Sequence, residues 1–289
     1  MKKIINTIIE TIIFICGILS IVFVVLIFGF LFKEGFAFFK DYNVIKFIMG
    51  QFWYPDSNPA LFGILPIVIG SILVTFGACL IVVPIGIMDA LYISEIAPKG
   101  IRDVLKSSVE LMAAIPSVVI GFVGMVTLVP FVKNLFDIPT GLTAFSGSIT
   151  LAFMAMPTIV TISEDAIRSV PWQYKEGALA LGATKWQTIR RIVLKTARPG
   201  IIAAVMLGIG RVVGETMAVM MITGNSAHIP NSIFEPVRTM TATIAAEMGE
   251  TVRGDMHYKA LFAIGLVLFV ITFIVNFIAD LFLGKNKNK

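Results

Sequence analysis

Charge is what this 289-residue sequence has least of: Asp, Glu, Lys and Arg together make up 14% of it, against 57% hydrophobic residues. Soluble domains carry about 25% charged and about 45–50% apolar residues. A globule of this size could not cover its surface in polar groups, so the composition excludes a water-soluble fold and points to a bilayer. Cysteine is nearly absent. Cys16 and Cys79 lie inside apolar runs and form no CxxC pair, which excludes a disulfide framework and leaves both as small hydrophobes. His228 and His257 are the sole histidines, with no cysteine near either, too few ligands to expect a metal site. The run G-x-x-x-x-G-K-[ST] is missing, so the chain does not hydrolyse ATP by the P-loop route. No basic cluster with interleaved aromatics suggests nucleic acid.

What is abundant is apolar sequence in long runs. A bilayer core takes about 20 residues of helix. Six stretches are long enough or nearly so: Thr11 to Phe32, Leu61 to Met88, Leu111 to Val132, Ile138 to Ser163, Pro199 to Thr223 and Ala260 to Ala279. An all-α integral membrane protein with about six spans follows. Lys2 and Lys3 resemble the start of a signal peptide, but the apolar run after them is too long and no A-x-A-like site follows, so this stretch reads as a retained anchor. With both ends in the cytoplasm, fifteen of the 23 Lys and Arg fall inside, seven outside, and Arg211 within a span. That bias fits the tendency of cytoplasmic loops to be basic.

Seven of those fifteen lie in one polar segment, Glu164 to Arg198, far longer than a helix connection needs. Its chemistry predicts helix, break, helix. Pro171 suits a first turn, and Gly182 can take the left-handed conformation that ends a helix. Thr184 with Gln187 forms a capping-box pattern that starts a second helix. On that second helix Trp186, Ile189, Val193 and Leu194 share a face. Spacing alone is equally compatible with a helix lying on the membrane surface and with one that docks on a partner.

The segment Glu176-Gly-Ala-Leu-Ala-Leu-Gly182, nine residues, then Ile192-Val-Leu194 resembles the EAA loop of ABC-importer permeases, departing at Gly177, where that pattern has Ala, and at Lys195, where it has Pro. Phe52-Trp-Tyr-Pro55, Phe62-Gly-Ile-Leu-Pro66, Leu91 to Pro98, Ala114-Ile-Pro-Ser-Val118, Ser163-Glu-Asp-Ala166, Gly210 to Val219 and Glu247-Met-Gly-Glu250 widen the match over most of residues 50–280. Together they resemble phosphate-specific permeases of the PstC type, the Glu215-Thr-Met-Ala-Val219 run most specifically.

The resemblance implies a type I ABC-importer permease (MetI-like) fold in a prokaryotic inner membrane, with no cofactor and no catalysis of its own. It implies an anchor helix and external loop over 1–60, a transmembrane domain over 61–283 with the coupling loop at about 164–198, and a tail over 284–289. Partners implied are a PstA-type sister permease, a cytoplasmic ATPase dimer and an external phosphate-binding protein. Coupling to the ATPase would fall to Glu176, Gly177, Ala178, Gly182, Ile192 and Leu194.

Arg211 is the thirteenth residue of the 25-residue fifth stretch, and Glu215 follows at i+4. In one continuous helix they would pair. Such a pair can be structural, or Arg211 can serve an anion on its path while Glu215 tempers the attraction, since an arginine fork matches phosphate oxygens. Gly210 and Gly214 have the small-xxx-small spacing of close helix packing. Asp89, Glu95 and Glu110 read as interfacial. The segment Asn225 to Tyr258, rich in charges of both signs, is either a solvated outer loop or a surface that meets a soluble binding protein. Two other readings stay open: a permease of the same fold for sulfate or molybdate, and an ion-coupled secondary transporter, which should show internal repeats.

Overall fold

The computed structural model describes residues 2–284; the tail at 285–289, with three of the lysines counted above as inside, lies outside the described residues. Helix α1 (Lys2–Asp41) is followed by α2 (Val44–Met49) and a two-stranded hairpin, β1 (Trp53–Tyr54) and β2 (Leu61–Phe62), with Trp53 opposite Phe62. Then come α3 (Leu65–Leu91), α4 (Lys99–Ala114), α5 (Ser117–Val123), α6 (Val129–Phe136) and α7 (Ala144–Arg168). The chain continues through α8 (Trp172–Ala180), α9 (Lys185–Thr188), α10 (Leu194–Gly214), α11 (Met217–Ile222), α12 (Met240–Glu247) and α13 (Met256–Gly284). Single π-helical turns join α3 to the α4 side (Tyr92–Ile96), α5 to α6 (Gly124–Leu128) and α9 to α10 (Ile189–Val193).

Among the described residues six helical segments are long and apolar enough to span a membrane: Ile9–Asp41, Leu65–Ile96, Ser117–Phe136, Ala144–Arg168, Lys185–Gly214 and Met256–Phe277. The protein is therefore a multi-pass membrane protein, as its composition demands. The number agrees with the sequence; the bounds move for local reasons. The third span starts at Ser117 rather than Leu111, because Pro116 forces Ile115 into extended backbone (ψ 126°). The residues before it, with Glu110, form α4, an amphipathic helix that buries no side chain. The fourth starts at Ala144, where Thr143 caps the helix by accepting from Ser146 N–H.

Three apolar clusters hold the bundle. The central one joins α3 (Val74, Ala78, Val82) to α7 (Leu151, Ala155, Ile159) and to α10 and α11 through Val212 and Val219. At one end Phe38, Phe47, Trp53, Phe62, Met240 and Leu261 close the hairpin over α12 and the start of α13. At the other end Leu91, Ile93, Ile167, Ile189 and Val193 close the π turns over the end of α7. Along α1, Ile13, Phe14, Val24 and Ile27 stand exposed, as lipid-facing side chains would. Its second half leans on α13 through Phe28–Phe269 and Phe30–Phe262 edge contacts at 5.0 and 5.4 Å.

The small-residue contact that brings helices close is not the one that spacing suggests. Gly210 and Gly214 face open space, whereas a Cβ on Gly208 would lie 2.5 Å from Ile159 Cγ1. Gly86 of α3 receives the same isoleucine, with a Cβ there 2.9 Å from Ile159 Cγ2. Ile159 is thus seated between two glycines on two helices. Gly208→Val should lower the thermal stability of the purified protein by about 1–3 kcal/mol, the usual cost of overpacking, and Ile159→Ala on top of it should recover part of the loss. Gly210→Val with an equal loss would show that the packing face had been wrongly assigned.

Candidate functional site

The segment between α7 and α10 folds as its local chemistry requires. Helix α7 runs on to Arg168, so the polar loop is shorter than the sequence suggests. Pro171 stands at the N-cap of α8, one residue earlier than expected, with extended backbone. Helix α8 ends in a Schellman turn: Ala183 N–H donates to Ala178 C=O, Gly182 N–H donates to Leu179 C=O, and Gly182 has φ +82°. The capping box is complete, with Gln187 N–H donating to Thr184 Oγ1 at 3.2 Å and Thr184 N–H donating to Gln187 Oε1 at 2.9 Å. Ile189 and Val193 are buried beneath it, but Trp186 is 58% exposed, so it does not share their face as the helical spacing predicts. The π turn at Ile189–Val193 breaks that spacing.

Helix α8 buries no side chain. Trp172, Tyr174, Leu179 and Leu181 are exposed, Leu181 to 90%. Glu176 lies on this outer surface and accepts from Trp172 Nε1 at 2.6 Å. Gly177, Ala178 and Ile192 line an open groove of about 570 Å³ between α8 and the α9 side, together with Tyr174, Thr188 and Arg191. Gly182 marks the turn beside it, and Leu194 packs instead on the apolar cluster below. A bare apolar surface with one carboxylate and a groove is suited to receive another protein.

Three ion pairs, made by the buried Glu164 and the largely shielded Glu95, fix this end, and sequence reasoning named none of them. Glu164, 2% exposed, accepts from Lys106 Nζ at 2.9 Å and from Arg168 at 3.1 Å, which ties α4 to α7. Glu95, read from sequence as interfacial, meets Lys175 of α8. The i+4 spacing of Glu164 and Arg168 was legible; Lys106 and Lys175 are 58 and 80 residues from their partners and gave no signal.

The expected Arg211–Glu215 pair does not form. Helix α10 ends at Gly214, and Glu215 is extended, at φ −68° and ψ 135°. Its carboxylate accepts from Ala218 N–H at 3.3 Å, and its carbonyl accepts from Thr241 Oγ1 of α12 at 2.7 Å. Arg211 sits in the last turn of α10, exposed and without an ion pair among the described residues. The two residues share a break in the fifth span rather than one helical face.

Residues 83–287 match the family described as "Binding-protein-dependent transport system inner membrane component". The chain belongs to that family. It is 41% identical to the probable ABC transporter permease protein YqgH of Bacillus subtilis, over 80% of this chain and 74% of that one. It is 36% identical to the phosphate transport system permease protein PstC of Mesorhizobium japonicum (81% and 76% covered). With a probable PstC of Methanocaldococcus jannaschii it shares 33% over 98% of this chain and 96% of the other. Its fold is that of type I ABC-importer permeases. A bacterial ABC transporter involved in alginate import superposes with a TM-score of 0.65 at 18% identity, covering 92% of each chain. The MetNI methionine ABC transporter superposes with a TM-score of 0.60 at 17% identity, covering 75% of this chain and 92% of that one.

At the end of the permease opposite α8, Glu247 gathers three donors: Trp53 Nε1 at 3.0 Å, Arg238 at 2.7 Å and His257 Nε2 at 2.8 Å. They fasten the hairpin to α12 and to the start of α13, beside a cavity of about 610 Å³. The segment expected to be a loop is thus partly helical and pinned. His228 bonds Ser226 Oγ, and no cluster with metal-holding geometry occurs among the described residues.

The ion pairs near α8 differ in what their loss should cost. Lys106 and Arg168 reach solvent, whereas Glu164 does not. Replacing both cations, Lys106→Met with Arg168→Met, strands a buried carboxylate and should cost about 3–5 kcal/mol in thermal unfolding of the purified permease. Adding Glu164→Gln should recover most of that; no recovery would mean that the cations stabilise by packing alone.

Proposed function

We propose that this permease is the membrane-spanning subunit of an ATP-driven importer and forms the path for inorganic phosphate. The observation that carries the proposal is the α8–Gly182–α9 module. It is a capped, structurally defined helix pair that presents exposed apolar side chains and Glu176 at one end of the bundle. Such a surface suits a cytoplasmic ATPase subunit, and the permease supplies no P-loop of its own. The assignment to phosphate is supported by relatives named as phosphate transport permeases. An external phosphate-binding protein would meet the end that carries Glu247 and the hairpin. A PstA-type sister permease would complete the path.

In this reading Glu176, Gly177, Ala178, Gly182 and Ile192 form the coupling surface, and Leu194 supports it from below. Arg211 offers its guanidinium to the anion in transit, and Glu215 acts through its place at the helix break rather than as a counter-ion. An anchor helix and external loop occupy 1–60, and the transmembrane domain of the importer occupies 61–283.

The coupling loop and both termini then face the cytoplasm. A reporter active only outside the membrane, fused after Lys289, should stay silent; strong activity would reverse the orientation. Uptake of radiolabelled phosphate, measured with the partners present and normalised to membrane abundance, tests the function. Glu176→Lys and Arg211→Gln should each lower it by roughly tenfold or more, equivalent to about 1.4 kcal/mol, with abundance preserved. Excess sulfate should not compete; competition by sulfate would move the substrate to another oxyanion.

A further inference from the structure

The end that carries α8 also holds a joint between the coupling helix and the spans. Lys175 turns away from the exposed face of α8, and its Nζ meets Glu95 Oε1 at 2.5 Å, with side chains 13% and 11% exposed. A pair so far from water persists only while its geometry is kept, because each charge alone would be costly there. On the α8 side the link continues: Lys175 Nζ lies 5.8 Å from the centre of the Trp172 ring, and Trp172 Nε1 donates to Glu176. On the other side Glu95 belongs to the π turn at Tyr92–Ile96 that ends the α3 span. Arg102 of α4 grips the same turn, donating to the carbonyls of Ile93 at 2.8 Å and Ser94 at 3.1 Å. Through Lys106 and Glu164, α4 is held in turn to α7. π turns interrupt the regular helical ladder and recur at functional sites. Here one such turn is grasped from both sides by charges on two different helices.

We propose that the Lys175–Glu95 pair is the mechanical joint of the permease, carrying displacement of the coupling helix α8 into the π turn that ends α3 and, through Arg102, into α4. Both are positioning residues: neither needs to touch phosphate or nucleotide. The flanking connections of α8 are short irregular stretches, Ser169–Pro171 on one side and the Gly182 turn on the other, which could bend and absorb the motion. The ion pair is the side-chain link that prevents this. The inference rests on the reading of α8 as the ATPase-docking element.

The test uses the whole importer in lipid vesicles, with sister permease, ATPase and phosphate-binding protein, and measures phosphate uptake and ATP hydrolysis in the same sample. Glu95→Gln and Lys175→Met should each reduce phosphate moved per ATP hydrolysed by roughly tenfold, within the range of site-to-site coupling free energies. The exchange of Glu95→Lys with Lys175→Glu should restore most of that ratio. A pair with a merely structural role would lower the amount of assembled importer and leave the ratio unchanged. An unchanged ratio in either single variant overturns the proposal. If the single variants fail to assemble, the exchange decides: recovery of assembly and ratio together supports the joint, and recovery of neither, or of assembly alone, overturns it. Failure of the underlying reading looks different, because the unmodified permease would then purify without any ATPase.

Discussion

Hydrocarbon offers no partner to a free N–H or C=O, so every backbone group of a span must be satisfied by the protein itself. That constraint governs where this chain is allowed to be irregular. The fifth helix ends before Glu215, and several groups at the break find partners within the protein. The Glu215 carbonyl accepts from Thr241, its carboxylate accepts from the Ala218 N–H that opens α11, and Thr216 Oγ1 donates to the Gly214 carbonyl. Helix α12 lies against the break and brings Thr241 into reach. The interruption lies one turn beyond Arg211, which makes no ion pair among the described residues.

Charge is scarce in this protein, and its placement divides the molecule. At the α8 end Glu164 is buried and Glu95 largely shielded, each answered by a lysine from a different helix. At the opposite end Glu247 is answered by Arg238 and His257 and by the Trp53 indole. Between these ends no ion pair joins the helices among the described residues, and the contacts are mainly apolar, set by Ile159 between two glycines and by the α3–α7 face, with one buried hydrogen bond from Ser148 Oγ to the Val74 carbonyl. Apolar packing does not distinguish protein from lipid tails as sharply as it distinguishes protein from water. Directional pairs at the ends therefore supply much of the specificity that fixes which helix lies beside which.

The two ends also differ in how much apolar surface they cover. Helix α8 exposes nearly all its apolar residues, ends at the left-handed Gly182 and is tied to the end of α3 by the Lys175–Glu95 pair. The hairpin end is the reverse, with Phe38, Phe47, Trp53 and Phe62 interlocked in a closed aromatic cluster.

Much of this was legible before any fold was known, because it depends on neighbours along the chain. Six apolar runs of bilayer length determine the number of spans, since their burial needs only lipid. The proline at 171, the left-handed glycine at 182 and the Thr184–Gln187 box each act within four residues, and each does so in the structure. Tertiary structure alone decided the rest. Arg211 and Glu215 have the spacing of an ion pair, but a spacing binds only if the helix continues, and the contact with Thr241 lies 26 residues away. Gly210 and Gly214 have the spacing of a packing motif, yet the helix turns Gly208 to its neighbour, a rotation that the sequence leaves undetermined. Lys175 and Glu95 are 80 residues apart; what joins them is the fold, which brings α8 to the end of α3, and no local rule extends that far.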